Sequence, residues 1–285
     1  MRNGTNIYRH PQFSDFLIPN FCFLLISVPD FRSYCPSPAD AANATELLLS
    51  AEESHHLVAV NRARRGDPVI AFDGHGREWT CELARDSKNA AVLKVLSSRQ
   101  AAAFPFRITL AQALPKGPSM DAIVRKATEI GAARIVPLES ERTQVHFDSK
   151  REDKKTDKWR VAALEAAKQC GNPWLPEIQP VQNATAFMRA SATPGAGYDL
   201  RLIASLHEGA RTLKTILADF RAAHENNAPR NVLWLIGPEG DFSPAEMDAA
   251  RGAAIEPVTL GPLVLRCETA AVYALSILSY ELQNM

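Results

Sequence analysis

Apolar and polar positions change rhythm once along this chain. Up to about residue 101 the apolar residues come in short runs: 69–72, the alternating 78–83, and 91–96 read as strands. A helix is predicted over 51–60, opened by Ser-Ala-Glu-Glu at 50–53, the spacing of a capping box. Arg65-Gly66-Asp67 turns the chain into the first of these strands, and Asp73-Gly74-His75-Gly76 is a hairpin signal. Past the alanine-rich joint at 100–103 the rhythm becomes strand, helix, strand. Strands are predicted at 108–113, 134–138, 199–205, 232–236 and 257–260, and helices at 119–130, 153–170, 209–223, 244–253 and from 268 onward. Strands separated by helices of that length form parallel β-α-β units. The pattern therefore predicts a small β-rich, barrel-like unit over 31–101 that folds by itself, followed by an α/β domain over 102–285.

A length of 285 residues corresponds to about two domains, and 46% hydrophobic residues are ample for packed cores. The 32 basic and 32 acidic residues balance, which argues against coating nucleic acid by bulk charge. A local basic face stays open, because the field depends on distribution as well as on the sum. The five cysteines are odd in number, spread out and without a Cys-x-x-Cys pair, as expected of reduced thiols in a cytoplasmic protein. The seven histidines lack the His-Glu-x-x-His spacing, and the adjacent His55 and His56 point to different faces of a helix, so no metal site is expected.

The amino end departs from this picture. The apolar run 21–28 follows Arg2 and Arg9 like a signal peptide, but it is too short to span a bilayer and no small-x-small site follows it. Residues 1–30 are read as an extension, disordered or appended by a start assigned upstream, with the folded body beginning near Phe31. No methionine lies between Met1 and Met120, so an internal start would need a non-standard codon, with Val28 as the candidate.

The chemistry concentrates in the last quarter. Two Gly-Pro bends follow successive strands: Gly237-Pro238-Glu239-Gly240, and Gly261-Pro262 leading through 263–265 to Arg266, Cys267, Glu268 and Thr269. Glycine lets backbone approach a ligand, and the N–H groups opening a following helix are unpaired donors. One such bend alone reads as an ordinary strand-to-helix turn; the pair reads as a ligand site at the carboxyl ends of the strands. Glu239, between two glycines, either accepts hydrogen bonds, offsets a cation, or is simply solvated. Ser243-Pro244-Ala245-Glu246 is a second capping box, read as structural. Glu268 suits a helix N-terminus, whereas a cation at Arg266 opposes the dipole by a few tenths to ~1 kcal/mol. A ligand carrying negative charge, a phosphate or a developing oxyanion, would account for Arg266. Arg62, Arg64 and Arg65, with Lys116, Arg125, Lys126 and Arg142, would form a phosphate track if they shared a face.

Together with Pro115-Lys116-Gly117, residues 126–131, Ser140-Glu141-Arg142 and residues 165–171, these bends resemble the bacterial small-subunit (16S) ribosomal RNA uridine-N3 methyltransferase family. Residues 54–58 and Phe72-Asp73-Gly74 are similar to its amino domain, so the resemblance runs from Phe31 to the carboxyl end. It implies a SPOUT-type parallel sheet with a C-terminal trefoil knot, preceded by a PUA-like RNA-binding barrel. It also implies S-adenosyl-L-methionine as cofactor, 16S rRNA as partner, and a homodimer with the site near the subunit interface. A knot is an exception to the rule that chains avoid them.

Carried onto this chain, the resemblance places the cofactor among Leu206, Gly237, Glu239, Gly240, Leu260, Gly261, Leu265, Thr269 and Ala270. Arg266 would stabilise the charge left when uridine N3 loses its proton, with Glu268 as base or orienting group. Arg62, Arg64, Arg65, Lys116, Arg125 and Arg142 would meet the RNA. Three positions depart from the family pattern: Asp241 where a second glycine is common, Leu263 where arginine is, and Cys267 where threonine is. The expected activity is methylation of N3 of one uridine near the 3′ end of 16S rRNA. A ribosome-assembly factor that has lost catalysis, and a SPOUT enzyme with another RNA target, are the alternatives.

Overall fold

The computed structural model describes residues 31–36, 43–143, 149–207 and 209–285; the amino-terminal extension over 1–30 lies outside them. The first unit is a five-stranded sheet ordered β1-β3-β4-β5-β2, from β1 (Arg32–Tyr34), β2 (Glu46–Leu48), β3 (Pro68–Phe72), β4 (Arg77–Arg85) and β5 (Val92–Gln100). Its strands alternate, so that Val69, Ala71, Trp79, Cys81, Leu83 and Leu93 face one core. Helix α1 (Ala51–His55) closes that core and runs on as a π-helical turn over His56–Val60. The three-residue strands β1 and β2 were not visible in the sequence pattern.

The second unit is a seven-stranded sheet in which every pairing is parallel. The order is β12-β10-β11-β6-β7-β8, with β9 also on β7. The strands are β6 (Arg107–Ala113), β7 (Arg134–Glu139), β8 (Glu177–Ile178), β9 (Gln182–Asn183), β10 (Leu200–Ala204), β11 (Asn231–Ile236) and β12 (Glu256–Val258). Along β11, Val232, Trp234 and Ile236 face one layer of helices while Leu233 and Leu235 face the other. A strand buried on both faces reads as one continuous apolar run, as this one does.

One layer holds α2 (Ser119–Ile130), α3 (Ser149–Cys170), α5 (Leu213–Ala223) and α7 (Cys267–Gln283). The other holds α4 (Ala184–Ser191) and α6 (Pro244–Gly252). The segment 172–198, without assigned elements in the sequence reading, carries β8, β9 and α4. The helix predicted from 209 starts at Leu213, because the Thr212 side chain accepts from the Thr215 N–H and fixes the first turn there. Among the described residues no helix is long and apolar enough to cross a membrane.

The two units are fastened along a seam. The Ser50–Glu53 box forms only by half: Ser50 accepts from the Glu53 N–H, but the Glu53 carboxylate turns away. It accepts from the Tyr34 N–H at 3.0 Å and from the Lys168 ammonium on α3 instead. At the other end of the seam the 73–76 hairpin loop bonds to 173–175. Gly76 N–H donates to Pro173 O at 3.0 Å, and Leu175 N–H donates to Gly74 O at 2.9 Å. Gly76 has φ +90°, and a Cβ there would stand 2.2 Å from Trp174 Cζ2, so both conformation and space demand glycine.

Candidate active site

Strands β12, β10 and β11 are neighbours and run the same way, so their carboxyl ends open on one edge of the sheet. Three loops leave that edge and enclose one crevice. It is lined by residues 204–206 after β10, by 236–239 and 241 after β11, and by 260 and 263–265 after β12, with Cys267 and Ala270 of α7 as the floor. The first Gly-Pro bend and the residues on either side of the second, Leu260 and Leu263, thus line the same space, at the position where open α/β sheets hold ligands.

Of the cofactor residues named from sequence, Leu206, Gly237, Glu239, Leu260, Leu265 and Ala270 line this crevice. Gly240 does not; it lies in a polar crevice on the other side of the bend, with Lys116 and Arg142. Gly261, at φ +108°, turns the second bend without lining the space. Thr269 and Glu268 line a shallow groove between α2 and α7 that also includes Lys126 and Tyr273.

The wall is largely apolar, with the acidic residues Glu239 and Asp241 among its lining. Such a site fits a flat ring system joined to a cationic centre, which is the chemistry of S-adenosylmethionine. The Glu239 carboxylate has a definite partner: its Oε1 accepts the Lys116 N–H at 2.9 Å, tying the first bend to the loop after β6. Gly240 O accepts from Arg142 Nη1 at 2.6 Å, tying the same bend to the loop after β7. The sequence offered no signal for these ties, because the partners lie 123 and 98 positions apart.

Asp241 takes the left-handed conformation at φ 59°, where glycine costs least and aspartate is among the better-tolerated alternatives. Its Oδ1 accepts the Phe242 N–H at 2.8 Å, which holds it in place. Leu263 is 71% exposed, on the rim. Cys267 is buried, and burial, with the Glu239 and Glu268 charges adding to it, pushes its thiol up to about 12. It therefore stays protonated and is no nucleophile at neutral pH.

Arg266 is the N-cap residue of α7, with β-region backbone and an exposed side chain that makes no capping bond. Among the described residues neither the Arg266 nor the Glu268 side chain has a hydrogen-bond or ion-pair partner, so both are open to a substrate at the mouth of the helix. Lys116 and Arg142 meet beside the first bend, Arg125 is exposed on α2, and Arg62, Arg64 and Arg65 are exposed on the first unit.

Residues 102–279 match the RNA methyltransferase domain family, and residues 49–96 match the RNA methyltransferase PUA domain. Ribosomal RNA small subunit methyltransferase E of Bacillus subtilis is 30% identical over 239 residues, covering 84% of this chain and 91% of its own. The protein of that name from Synechocystis is 31% identical over 248 residues, 87% of this chain and 77% of its own. A Legionella pneumophila protein solved with its cofactor SAM superimposes with a TM-score of 0.77 at 32% identity, covering 88% of this chain and 97% of that one. The Neisseria gonorrhoeae ribosomal RNA small subunit methyltransferase E, bound to S-adenosyl methionine, gives 0.74 at 26% identity with the same coverage. The expected architecture, a SPOUT-type parallel sheet behind a β-rich PUA-like unit, is the one observed. With two bends converging on one crevice and a family match across most of its length, this chain belongs to the RNA methyltransferase family, in the group that includes ribosomal RNA small subunit methyltransferase E.

Proposed function

We propose that this chain uses S-adenosyl-L-methionine to methylate N3 of one uridine near the 3′ end of 16S rRNA in the small ribosomal subunit. The observation that carries the proposal is the convergence of both Gly-Pro bends on one crevice whose floor is the first turn of α7, directly beside Arg266 and Glu268. Bound in that crevice, the cofactor supplies a methyl group on a positively charged sulfonium.

The chain's own residues do the rest. Leu206, Leu260 and Leu265 exclude water, and the carboxylates of Glu239 and Asp241 favour the cation electrostatically. Uridine N3 carries a proton between two carbonyls, so its attack requires that proton to leave and the charge on the flanking oxygens to be met. Arg266 donates to those oxygens, and the Glu268 carboxylate receives or orients the proton. Holding the two reactants in line supplies much of the rate.

The same reading makes the protein cytoplasmic and homodimeric, with the carboxyl-terminal segment threaded as a trefoil knot. Support for a dimer comes from exposed apolar side chains at the second bend and on α7: Leu263 at 71%, Val264 at 82% and Tyr280 at 69% exposure. The basic residues Arg62, Arg64, Arg65, Lys116, Arg125 and Arg142 are assigned to the RNA. The deciding experiment is mass mapping of 16S rRNA from a deletion strain, in which one 3-methyluridine near the 3′ end disappears and returns with the wild-type gene. An unchanged RNA, or loss of a different modification, would overturn the assignment.

A further inference from the structure

Glu246 does more than cap a helix. The residue is 1% exposed, and its carboxylate has two bonds. Oε2 accepts the Ser243 N–H at 2.8 Å, completing the capping box at the start of α6. Oε1 accepts the Glu141 N–H at 3.0 Å, from the loop after β7. That loop is a tight turn in its own right, with Thr143 N–H donating to Ser140 O at 3.0 Å and Ser140 N–H donating to Thr143 Oγ1 at 3.1 Å. Between these anchors stands Arg142, whose guanidinium reaches the Gly240 carbonyl at 2.6 Å. A buried carboxylate thus fixes a turn, the turn fixes a guanidinium, and the guanidinium fixes the bend that lines the cofactor crevice.

We propose that Glu246 and Arg142 form a two-part latch that sets the shape of the 237–240 bend, with Glu246 a positioning residue for methyl transfer; this rests on the S-adenosylmethionine reading of the crevice. The bend is pinned at consecutive residues, Glu239 through its carboxylate and Gly240 through its carbonyl, to two different loops. Only the second pin depends on Glu246. Loss of either latch partner leaves the fold and lets the bend relax away from the cofactor.

Two single variants and their combination test this, with binding of S-adenosylhomocysteine measured by titration calorimetry on the full chain. In E246Q the amide oxygen keeps the Ser243 N–H, because glutamine serves in a capping box, while its NH2 faces the Glu141 N–H and breaks the loop tie. In R142M an exposed cation is removed and only the Gly240 contact is lost from the latch. Each variant is expected to weaken binding about tenfold or more, the scale of one charge-assisted hydrogen bond, with the melting temperature nearly unchanged in R142M. The double variant is expected to be no worse than the poorer single one, since both act through one contact. Wild-type affinity in both variants, or losses that multiply in the double variant, would overturn the latch while leaving the cofactor reading intact. Failure of the wild-type chain to bind the probe at all would instead overturn that reading, and the latch with it. Should E246Q fail to fold, R142M and its rescue by R142K decide the matter alone.

Discussion

The ammonium of Lys168 and the carboxylate of Glu53, 115 positions apart in the chain, form an ion pair 2.5 Å long with both side chains under 10% exposed, at 8% and 7%. Glu165 supports the ammonium from one turn away at 3.0 Å and itself lies 3.6 Å from His56. Two stretches that carry the family resemblance, 54–58 and 165–171, therefore flank or contain the same buried contact. Their residue types serve the joint between the units as well as anything at the active site.

Removing one partner of this pair leaves the other charged and dry. Lys168→Met is expected to destabilise the protein by about 3–5 kcal/mol. The double change Glu53→Gln with Lys168→Met should recover a large part of that loss, read as the midpoint of urea unfolding. Equal stability of wild type and Lys168→Met would mean that the pair is solvated in solution.

Arg266→Ala should fold normally, because the wild-type side chain is exposed and makes no capping bond. Its methyl transfer to 16S rRNA is expected to fall on the order of 10²–10³-fold, the usual effect of losing a donor aimed at developing negative charge. Cofactor affinity should hold within a few-fold. A matching loss of cofactor affinity would place Arg266 in the crevice instead of at the base.

Asp241 offers a comparison of conformation against hydrogen bonding. Asp241→Gly relieves the left-handed backbone while losing the Phe242 contact, so its stability should stay within about 1 kcal/mol of wild type. Asp241→Ala keeps the strain and loses the contact, and should fall by about 1–2 kcal/mol. Thermal unfolding of the two variants side by side gives the order.

The thiols of Cys81 and Cys267 are both pushed up to about 12, each chiefly by burial. An ordinary thiol ionises near ~8.5. Between these values the unfolded chain has lost protons that the native chain keeps, so unfolding releases protons and stability falls as pH rises. Both contributions are complete below about pH 8 and lost progressively toward pH 12. Iodoacetamide at pH 8.5 should therefore modify exposed Cys170 while sparing Cys81 and Cys267, with peptide mass mapping as the readout.

The sequence pattern revealed long strands and helices where apolar periodicity is strong, as along 108–113, 119–130 and 232–236. It failed where elements are too short to show a period: β8 and β9 have two residues each, and β1 and β2 three. Helix α4 does carry a local signal, Asn183 as N-cap ahead of Phe187 and Met188. At the site, the two bends were visible because glycine and proline punctuate any chain. Their bracing by Lys116, Arg142 and Glu246 was not, since hydrogen bonds between distant loops leave no periodic trace. The second capping box formed in full, whereas the first gave up its glutamate to a tertiary ion pair that no local rule contains.

The glycines at 74 and 76, closed against Leu175 and Trp174, tie how each half behaves to the presence of the other. Cut apart there, the catalytic half would present a bare indole and an ammonium left with Glu165 alone to water, and its counterpart a carboxylate without its cation. Truncated versions should consequently clump or lose expression before they lose chemistry, and a fragment bearing the methyltransferase sheet alone is a poor proxy for the whole enzyme.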